Sequence, residues 1–140
     1  FNIYGPGQNA SFLIPKIIEG VFKGQLNLET LTPKRDFVYV HDVCNAFLQC
    51  LLIHSEDHTF NVYNIGSGNS YSVQQIIDKV ISFAALNPTI TCNEKKRAVE
   101  VEDVKADFSK IKREKKWHPS VSFDQGLKDM IEIYRKENGL

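Results

Sequence analysis

Short segments rich in β-branched and aromatic residues alternate along this chain with longer segments whose apolar residues recur at helical spacing. Strands are predicted at 1–4, 26–28, 37–40, 60–65 and 89–92. Helices are predicted to begin near Ser11, Asp42, Ser72 and Asp124. Strands that alternate with helices of about 10 to 15 residues are typical of α/β domains. The pattern therefore predicts an α/β fold.

Local signals predict where the helices begin and end. Pro15 fits only in the first turn of a helix, where no amide donor is needed, and Gly24 predicts the end of that helix. Asp42 lies where a helix N-cap is expected, and Ser72 forms a capping box with Gln75 three residues later. These signals set boundaries that the apolar pattern alone leaves open.

Apolar stripes predict which helix faces meet the core. The second predicted helix carries its stripe at i, i+3, i+4, i+7 and i+8, at Val43, Ala46, Phe47, Cys50 and Leu51. The last predicted helix carries Leu127, Met130, Ile131 and Tyr134. We expect both helices to pack on the core through these side chains.

The composition is that of one ordinary domain and argues against two classes of partner. The 140 residues include 17 basic and 17 acidic side chains, so the formal net charge is zero. A general nucleic-acid binder usually has a strongly basic domain, and the basic tract at 110–116 contains an acid and reads as a solvated helix face. No apolar run approaches the roughly 20 residues of a membrane-spanning helix. We therefore expect neither a nucleic acid nor a membrane as partner.

The spacing of cysteine and histidine argues against a disulfide framework and against a metal site. The cysteines are odd in number and scattered, which favours a reducing, cytoplasmic compartment: Cys44, Cys50 and Cys92. The histidines lack the spacing of metal ligands: His41, His54, His58 and His118. We expect structural thiols and surface imidazoles.

Two glycine-containing turns are candidate anion sites. The segments 5–7 and 66–68 each follow a predicted strand and precede a helix, where exposed amides attract anions. Neither contains a complete G-x-G-x-x-G, so a dinucleotide site inside this chain is not expected. From the residues alone, an anion site and a simple tight turn are both open.

Arg35 is a second candidate, because it directly precedes a strand that the pattern predicts to be buried. A guanidinium offers a rigid fork of donors suited to a phosphate or a carboxylate. The alternative is an internal ion pair between Arg35 and a carboxylate such as Asp36 or Asp42. Arg97 has no such position, and the residues alone make it a surface charge.

Several strings of this chain resemble a known family and occur in the family's order. Residues 1–8 read F-N-I-Y-G-P-G-Q and resemble the F-N-V-Y-G-P segment of the extended short-chain dehydrogenase/reductases. Further similar strings are Ile14-Pro15, R-D-F-V-Y-V-H-D-V at 35–43, Y-N-I-G-S-G at 63–68, A-D-F-S-K at 106–110 and W-H-P at 117–119. The family comprises NAD(P)-dependent nucleotide-sugar epimerases and dehydratases. The resemblance covers essentially the whole chain.

The resemblance implies that residues 1–140 are a carboxy-terminal nucleotide-sugar-binding domain that includes the last strands and helices of a Rossmann sheet. The family's amino-terminal part holds NAD or NADP and supplies a Tyr-x-x-x-Lys pair, and both would precede Phe1. Tyr71 is followed by Gln75 instead of Lys and does not replace that pair. We therefore expect no catalytic residue in this chain, no cofactor binding by it alone and no turnover. The resemblance also implies a homodimer for the complete enzyme.

The resemblance assigns six residues to the substrate. It places Asn2 on the diphosphate, Arg35 and Arg97 on its charge from two sides, Glu100 on a ribose hydroxyl or on Arg97, and Leu26 and Leu28 beside the base. Two departures bear on this, since the segment 25–34 is shorter than the family's hairpin and V-E-V at 99–101 replaces the usual G-D-V. The implied function is the substrate-binding half of an epimerase, a 4,6-dehydratase or a 4-ketoreductase. The alternative is a non-catalytic module that kept this fold to bind a nucleotide or a protein.

Overall fold

The computed structural model describes residues 1–52, 60–93 and 101–140, and it is an α/β fold as the sequence predicts. Its strands are β1 (Asn2–Tyr4), β2 (Gln25–Leu28), β3 (Lys34–Tyr39), β4 (Ser70–Ser72), β5 (Thr89–Cys92) and β6 (Asp103–Val104). Its helices are α1 (Leu13–Phe22), α2 (Val40–Leu52), α3 (Val73–Ala84), α4 (Ser109–Lys115) and α5 (Phe123–Glu137).

Strand β3 organises the larger sheet. It pairs in parallel with β1, where Asn2 lies opposite Phe37, and in parallel with β6. It pairs antiparallel with β4, where Arg35 lies opposite Tyr71. Strands β2 and β5 form a separate parallel pair. The first residues of β3 therefore lie beside β4 and β6, and its last residues lie beside β1.

The main core lies between α1, α3, α5 and one face of the larger sheet. Tyr4 and Phe123 lie in an aromatic cluster there, with ring centroids 5.3 Å apart. Gly126 gives α5 its close approach, because an added Cβ would overlap the Tyr4 hydroxyl. Burial raises the pKa of Tyr4, whose hydroxyl donates to the Phe123 carbonyl. The stripe predicted for the last helix is confirmed, with Leu127 fully buried at its centre.

Most predicted helix boundaries are confirmed. Ser72 and Gln75 form both hydrogen bonds of the capping box that begins α3. Pro15 lies in the first turn of α1, and Gly24 follows the end of that helix with a φ of +76°. The last helix begins one residue earlier than predicted, because Ser122 is the residue that caps the Gln125 amide.

The N-cap role predicted for Asp42 is wrong. Helix α2 begins at Val40, so Asp42 lies in its first turn with a side chain that is 1% exposed. The carboxylate accepts hydrogen bonds from a distant loop instead of from the amides of its own helix. The Asp42 side chain could cap a helix locally, but it binds Ser120 and Val121, which are distant in the sequence.

The strand predicted at 60–65 is also wrong, since the segment forms no ladder with another described strand. Phe60 and Val62 are 93% and 63% exposed. β-Branched and aromatic residues favour a strand only where they pack on a neighbour. The described residues give this segment one hydrogen bond to the start of β1, from the amino group of Phe1 to the Ile65 carbonyl.

The stripe of α2 is only half in the core. Val43 and Ala46 are buried, and Ala46 packs with Ile111 and Trp117 in a second, smaller cluster. Phe47 and Leu51 are 63% and 66% exposed, so the prediction for these two is wrong. Phe1, Ile3 and Phe47 line a shallow pocket on the same side. We call the exposed set Phe1, Ile3, Phe47 and Leu51 the α2–β1 apolar face.

Among the described helices, none is long and apolar enough to cross a membrane.

Candidate functional site

A cavity of about 450 Å³ lies between β1 and the amino end of α1. Its lining comes from Phe1, Asn2, Ile3, Tyr4, Gln8, Phe12, Leu13, Ile14 and Phe37. The cavity therefore combines apolar walls with two amide side chains. That is the composition of a small-molecule site, where a few polar groups fix the orientation of a ligand.

Asn2 lies on β1, an outer strand of the larger sheet among the described residues, and lines the cavity. Its Nδ2 atom donates to the Asp36 carbonyl over 2.9 Å. Paired residues of parallel strands share a face, and so do residues two apart in one strand. Asn2, Phe37 and Arg35 therefore lie on one face, with Arg35 about 7 Å along the strand from Phe37. Asn2 and Arg35 thus share a sheet face, but of the two only Asn2 lines the cavity.

Arg35 is held by main-chain carbonyls. Its Nη1 atom donates to the Lys34 carbonyl over 2.8 Å and to the Val101 carbonyl over 2.7 Å. The two carboxylates proposed as ion-pair partners, those of Asp36 and Asp42, are occupied by amide and hydroxyl donors from other segments. The contacts to carbonyls hold the planar guanidinium in one orientation.

The 66–68 turn is bound to an internal carboxylate. Asp36 Oδ1 accepts from the Ser67 amide over 2.7 Å and from the Ser67 hydroxyl over 2.8 Å. Oδ2 accepts from the Gly68 amide over 2.8 Å and from the Ala106 amide over 3.0 Å. We call Asp36, Ser67, Gly68 and Ala106 the Asp36 clamp. The turn is thus an anion site, as its amides suggested, but its anion is a fully buried side chain of the chain itself.

Asp42 forms a second clamp with the same local arrangement. Its Oδ1 atom accepts from the Ser120 amide and the Ser120 hydroxyl, over 3.0 and 2.6 Å, and its Oδ2 atom accepts from the Val121 amide over 3.1 Å. The Asp42 carbonyl accepts from Nε1 of Trp117 over 2.9 Å, and Trp117 is buried directly after α4. We call Asp42, Ser120 and Val121 the Asp42 clamp.

Sequence reasoning missed the roles of Gln8 and of the amino end of α1. Gln8 Nε2 donates to the Ile3 carbonyl over 2.9 Å, while Oε1 is buried without a hydrogen-bond partner among the described residues. The N-cap of α1 is Phe12, whose side chain caps no amide of the first turn. Helix amino ends with uncapped amides favour anions. Gln8 is part of the string at 1–8 that resembles the family. Nothing in the sequence indicates that its Oε1 atom is buried.

The turn at 5–7 does not lead directly into a helix, because α1 begins only at Leu13. Gly5 approaches α2 closely, since an added Cβ would lie 2.5 Å from Val40 Cγ1. Close packing, together with the hydrogen bond from the Gln8 amide to the Gly5 carbonyl, accounts for this turn.

Of the predicted site residues in the described part of the chain, only Asn2 lines the cavity. Leu26 and Leu28 are 2% and 7% exposed and pack in the main core, so their side chains present no surface to a base. The exposed positions of that strand are Gln25 and Asn27. Arg97 and Glu100 lie outside the described residues, as do His54 and His58. His41 and His118 are exposed.

The described residues contain no cluster of three or more His, Cys, Asp or Glu side chains that could hold a metal ion. The three thiols are free, with Cys44 exposed and Cys50 and Cys92 half-buried.

The comparisons with known proteins agree with this reading of the fold. The model of the family described as GDP-mannose 4,6 dehydratase matches residues 1–130. The chain therefore belongs to this family of NAD(P)-dependent nucleotide-sugar epimerases and dehydratases, which the resemblance predicted. Among curated relatives, GDP-6-deoxy-D-mannose reductase of Pseudomonas aeruginosa is 27% identical over 139 residues, which are 94% of this chain and 45% of the relative.

Solved structures extend the similarity to the fold. The UDP-glucose 4-epimerase of Thermotoga maritima with UDP-glucose has a TM-score of 0.83 at 28% identity, over 98% of this chain and 44% of the epimerase. MoeE5 in complex with UDP-glucuronic acid and NAD has a TM-score of 0.87 at 26% identity, over 98% of this chain and 46% of MoeE5. The chain thus spans less than half the length of these relatives.

Proposed function

We propose that this chain is the substrate-binding half of an NAD(P)-dependent nucleotide-sugar enzyme, and that its cavity receives the diphosphate part of the sugar nucleotide. The reaction would be an epimerisation, a 4,6-dehydration or a 4-keto reduction. Relatives in all three classes match the chain. The proposal assigns residues 1–140 the role of a carboxy-terminal domain.

One observation carries the proposal: Asn2 lines a cavity at the uncapped amino end of α1 and shares a sheet face with Arg35. A diphosphate bears charge that a guanidinium fork and helix amides can bind with directional hydrogen bonds. Gln8 adds a buried acceptor, Oε1, to the same cavity. Such an acceptor would suit a sugar hydroxyl.

The resemblance assigns further charge neutralisation to Arg97, and it assigns Glu100 to a ribose hydroxyl or to Arg97. We retain both as proposals. Leu26 and Leu28 are not proposed to contact the base through their side chains, because these are buried. A base next to β2 would meet the exposed Gln25 and Asn27.

The described residues do not fit a dinucleotide cofactor. Two glycine-containing turns were candidate anion sites. In the 66–68 turn, the Ser67 and Gly68 amides already donate to Asp36. No Tyr-x-x-x-Lys pair occurs in the sequence. NAD or NADP would therefore be bound by another part of the complete enzyme. We expect no turnover by this chain alone.

The α2–β1 apolar face favours this reading over a self-sufficient binding module. Phe47 and Leu51 are more than 60% exposed, and contiguous apolar surface of this kind usually marks an interface. A cofactor-binding half would cover such a surface. The alternative, a module that functions alone, predicts a monodisperse monomer of this chain.

Titration of the 140-residue chain with UDP-glucose, GDP-mannose and dTDP-glucose, followed by calorimetry, tests the proposal. We expect one of these ligands to bind and Arg35→Ala to weaken its affinity at least about tenfold, since a charge-assisted contact is worth about 1.5 to 3 kcal/mol. Lys112→Ala, at an exposed position on α4, is the matched loss of one positive charge. No binding of any ligand, or equal affinity for wild type and Arg35→Ala, would reject the proposal.

A companion assay supplies NAD or NADP together with the same sugar nucleotides and follows the sugar products. We expect no conversion. Product formation by this chain would show that it holds catalytic residues that the proposal denies it.

A further inference from the structure

We propose that Asp36 is a positioning residue for the diphosphate site, acting through the Asp36 clamp on Asn2 and Arg35. This inference rests on the proposed function, because it assigns Asn2 and Arg35 to the ligand. Asp36 itself is fully buried and does not line the cavity. Its effect on a ligand would therefore pass through its neighbours.

The main chain of Asp36 contacts the site directly. Its carbonyl accepts the hydrogen bond from Asn2 Nδ2 over 2.9 Å. The position and tilt of this carbonyl thus determine where the Asn2 amide lies. Residue 36 is next to Arg35, so any rotation of the strand at residue 36 also moves the guanidinium.

The carboxylate of Asp36 holds that stretch of strand from the opposite face. Adjacent residues of a strand point to opposite faces, so the Asp36 side chain leaves the sheet away from Asn2 and Arg35. There it accepts four hydrogen bonds of 2.7 to 3.0 Å, from Ser67, Gly68 and Ala106. A strand fixed by four short bonds on one face has little freedom to rotate on the other.

Arg35 and Asp36 also fix one neighbouring segment at two points. Arg35 donates to the Val101 carbonyl, while Asp36 accepts from the Ala106 amide five residues later. Strand β6, between these two points, pairs with Lys34 and Arg35. Loss of the Asp36 contact would release the far end of this segment and thereby the carbonyl that orients the guanidinium.

Close packing also surrounds Gly66, the residue directly before the clamp residue Ser67. A Cβ added to Gly66 would overlap the Ala106 Cβ and lie 3.3 Å from the Phe1 ring. Phe1 directly precedes β1 and lines the same cavity. The turn that supplies Ser67 and Gly68 therefore lies against Phe1, whose amino group donates to the Ile65 carbonyl.

The Asp42 clamp provides a matched control. Asp42 is equally buried and holds a serine and the following amide in the same way. Its partners Ser120 and Val121 precede α5 and do not line the cavity. Asn at either position keeps the size of the side chain and removes one acceptor oxygen.

The experiment measures affinity of the 140-residue chain for UDP-glucose, GDP-mannose and dTDP-glucose in Asp36→Asn and Asp42→Asn, below the denaturation temperature of each variant. We expect Asp36→Asn to weaken binding about tenfold and Asp42→Asn by less than about twofold, since polar groups of a site must be held within about 0.5 Å. Ser67→Ala and Ser120→Ala form a milder pair that keeps both carboxylates. We expect about a threefold loss of affinity for Ser67→Ala and none for Ser120→Ala.

A spectroscopic measurement separates positioning from general destabilisation. The side-chain amide resonances of Asn2 should shift in Asp36→Asn and stay in place in Asp42→Asn. Equal loss of affinity in the two Asn variants, or unchanged affinity in Asp36→Asn and Ser67→Ala, would overturn the inference. If Arg35→Ala still weakens binding in that case, the proposed function stands and only the role of Asp36 falls. If wild type binds no sugar nucleotide, both fall.

Discussion

The Asp36 clamp and the Asp42 clamp have the same local chemistry in two different surroundings. In each, one carboxylate oxygen accepts both donors of a serine and the other accepts the next amide in the chain. The Asp36 clamp adds the Ala106 amide, and Ala106 is buried. Ser120 of the Asp42 clamp is exposed. Ser67 and Gly68 are half-buried. The difference teaches that water reaches the serine of the Asp42 clamp more readily than the donors of the Asp36 clamp.

The two clamps also serve different parts of the molecule. Asp36 joins the centre of the larger sheet to the 66–68 turn and to the segment after β6. Asp42 joins the first turn of α2 to the loop before α5. Only the first of these regions contacts Asn2 among the described hydrogen bonds. Stability and ligand binding should therefore depend on the two clamps in different proportions.

Replacing each aspartate with alanine gives the largest expected effect. Asp36→Ala leaves four donors without an acceptor, and we expect a loss of about 3 to 5 kcal/mol in the free energy of unfolding. Asp42→Ala leaves three donors, of which those of Ser120 can reach water, and we expect about 2 kcal/mol. Urea denaturation followed by circular dichroism measures both. A larger loss in Asp42→Ala would contradict the difference in solvent access.

The residue before each serine gives the next largest effect. Gly66→Ala introduces a Cβ that overlaps the Ala106 Cβ, and we expect a cost of about 2 kcal/mol from overpacking. The equivalent position in the other clamp is Pro119, where alanine should cost only about 0.5 kcal/mol through a more flexible unfolded chain. Thermal unfolding compares the two variants. Equal melting temperatures would show that the 66–68 turn has room to adjust.

The serine hydroxyls give a smaller effect. Ser67→Ala removes a hydrogen bond to Asp36 at a half-buried serine, and we expect a loss of about 1.5 kcal/mol. Ser120→Ala removes the corresponding bond at an exposed residue, and we expect about 0.5 kcal/mol. Urea midpoints at constant slope provide the measurement. The prediction fails if the two alanine variants are equally stable.

The α2–β1 apolar face gives the smallest expected effect on stability. Phe47 and Leu51 lie on the helix that carries Asp42, but both are mostly exposed. Phe47→Ser and Leu51→Ser should each change the free energy of unfolding by no more than about 0.5 kcal/mol. Both should reduce self-association of the chain, because they remove exposed apolar surface. Sedimentation velocity measures the association, and a marked loss of stability would show that the side chains support the core.

Features that depend on neighbours in the sequence were predictable. The capping box of Ser72 and Gln75 joins residues three apart, and its sequence pattern alone predicts it. The apolar stripe of α5 follows from helical periodicity in the same way. The order of short strings along the chain predicted the family. The substrate contacts that the resemblance assigns to Asn2 and Arg35 stay predictions.

Features that depend on distant partners were not predictable. The strand predicted at 60–65 lacked a neighbour, and Phe47 faced the same way along its helix as buried residues without being covered. Leu26 and Leu28 were assigned to a ligand but pack in the core. In each case the local pattern gave the conformation or the polarity of the segment correctly. It did not show which other part of the chain packs against that segment.

The sequence by itself determined the α/β class, most helix boundaries and the family, because these follow from periodicity, capping chemistry and the order of short strings. Only the tertiary structure decided what the two buried aspartates bind. Asp36 finds its donors 31, 32 and 70 residues away in the chain, and Asp42 finds its donors 78 and 79 residues away. A buried carboxylate must be matched by donors wherever the fold brings them. No local pattern specifies those donors, since their positions result from the packing of the whole chain.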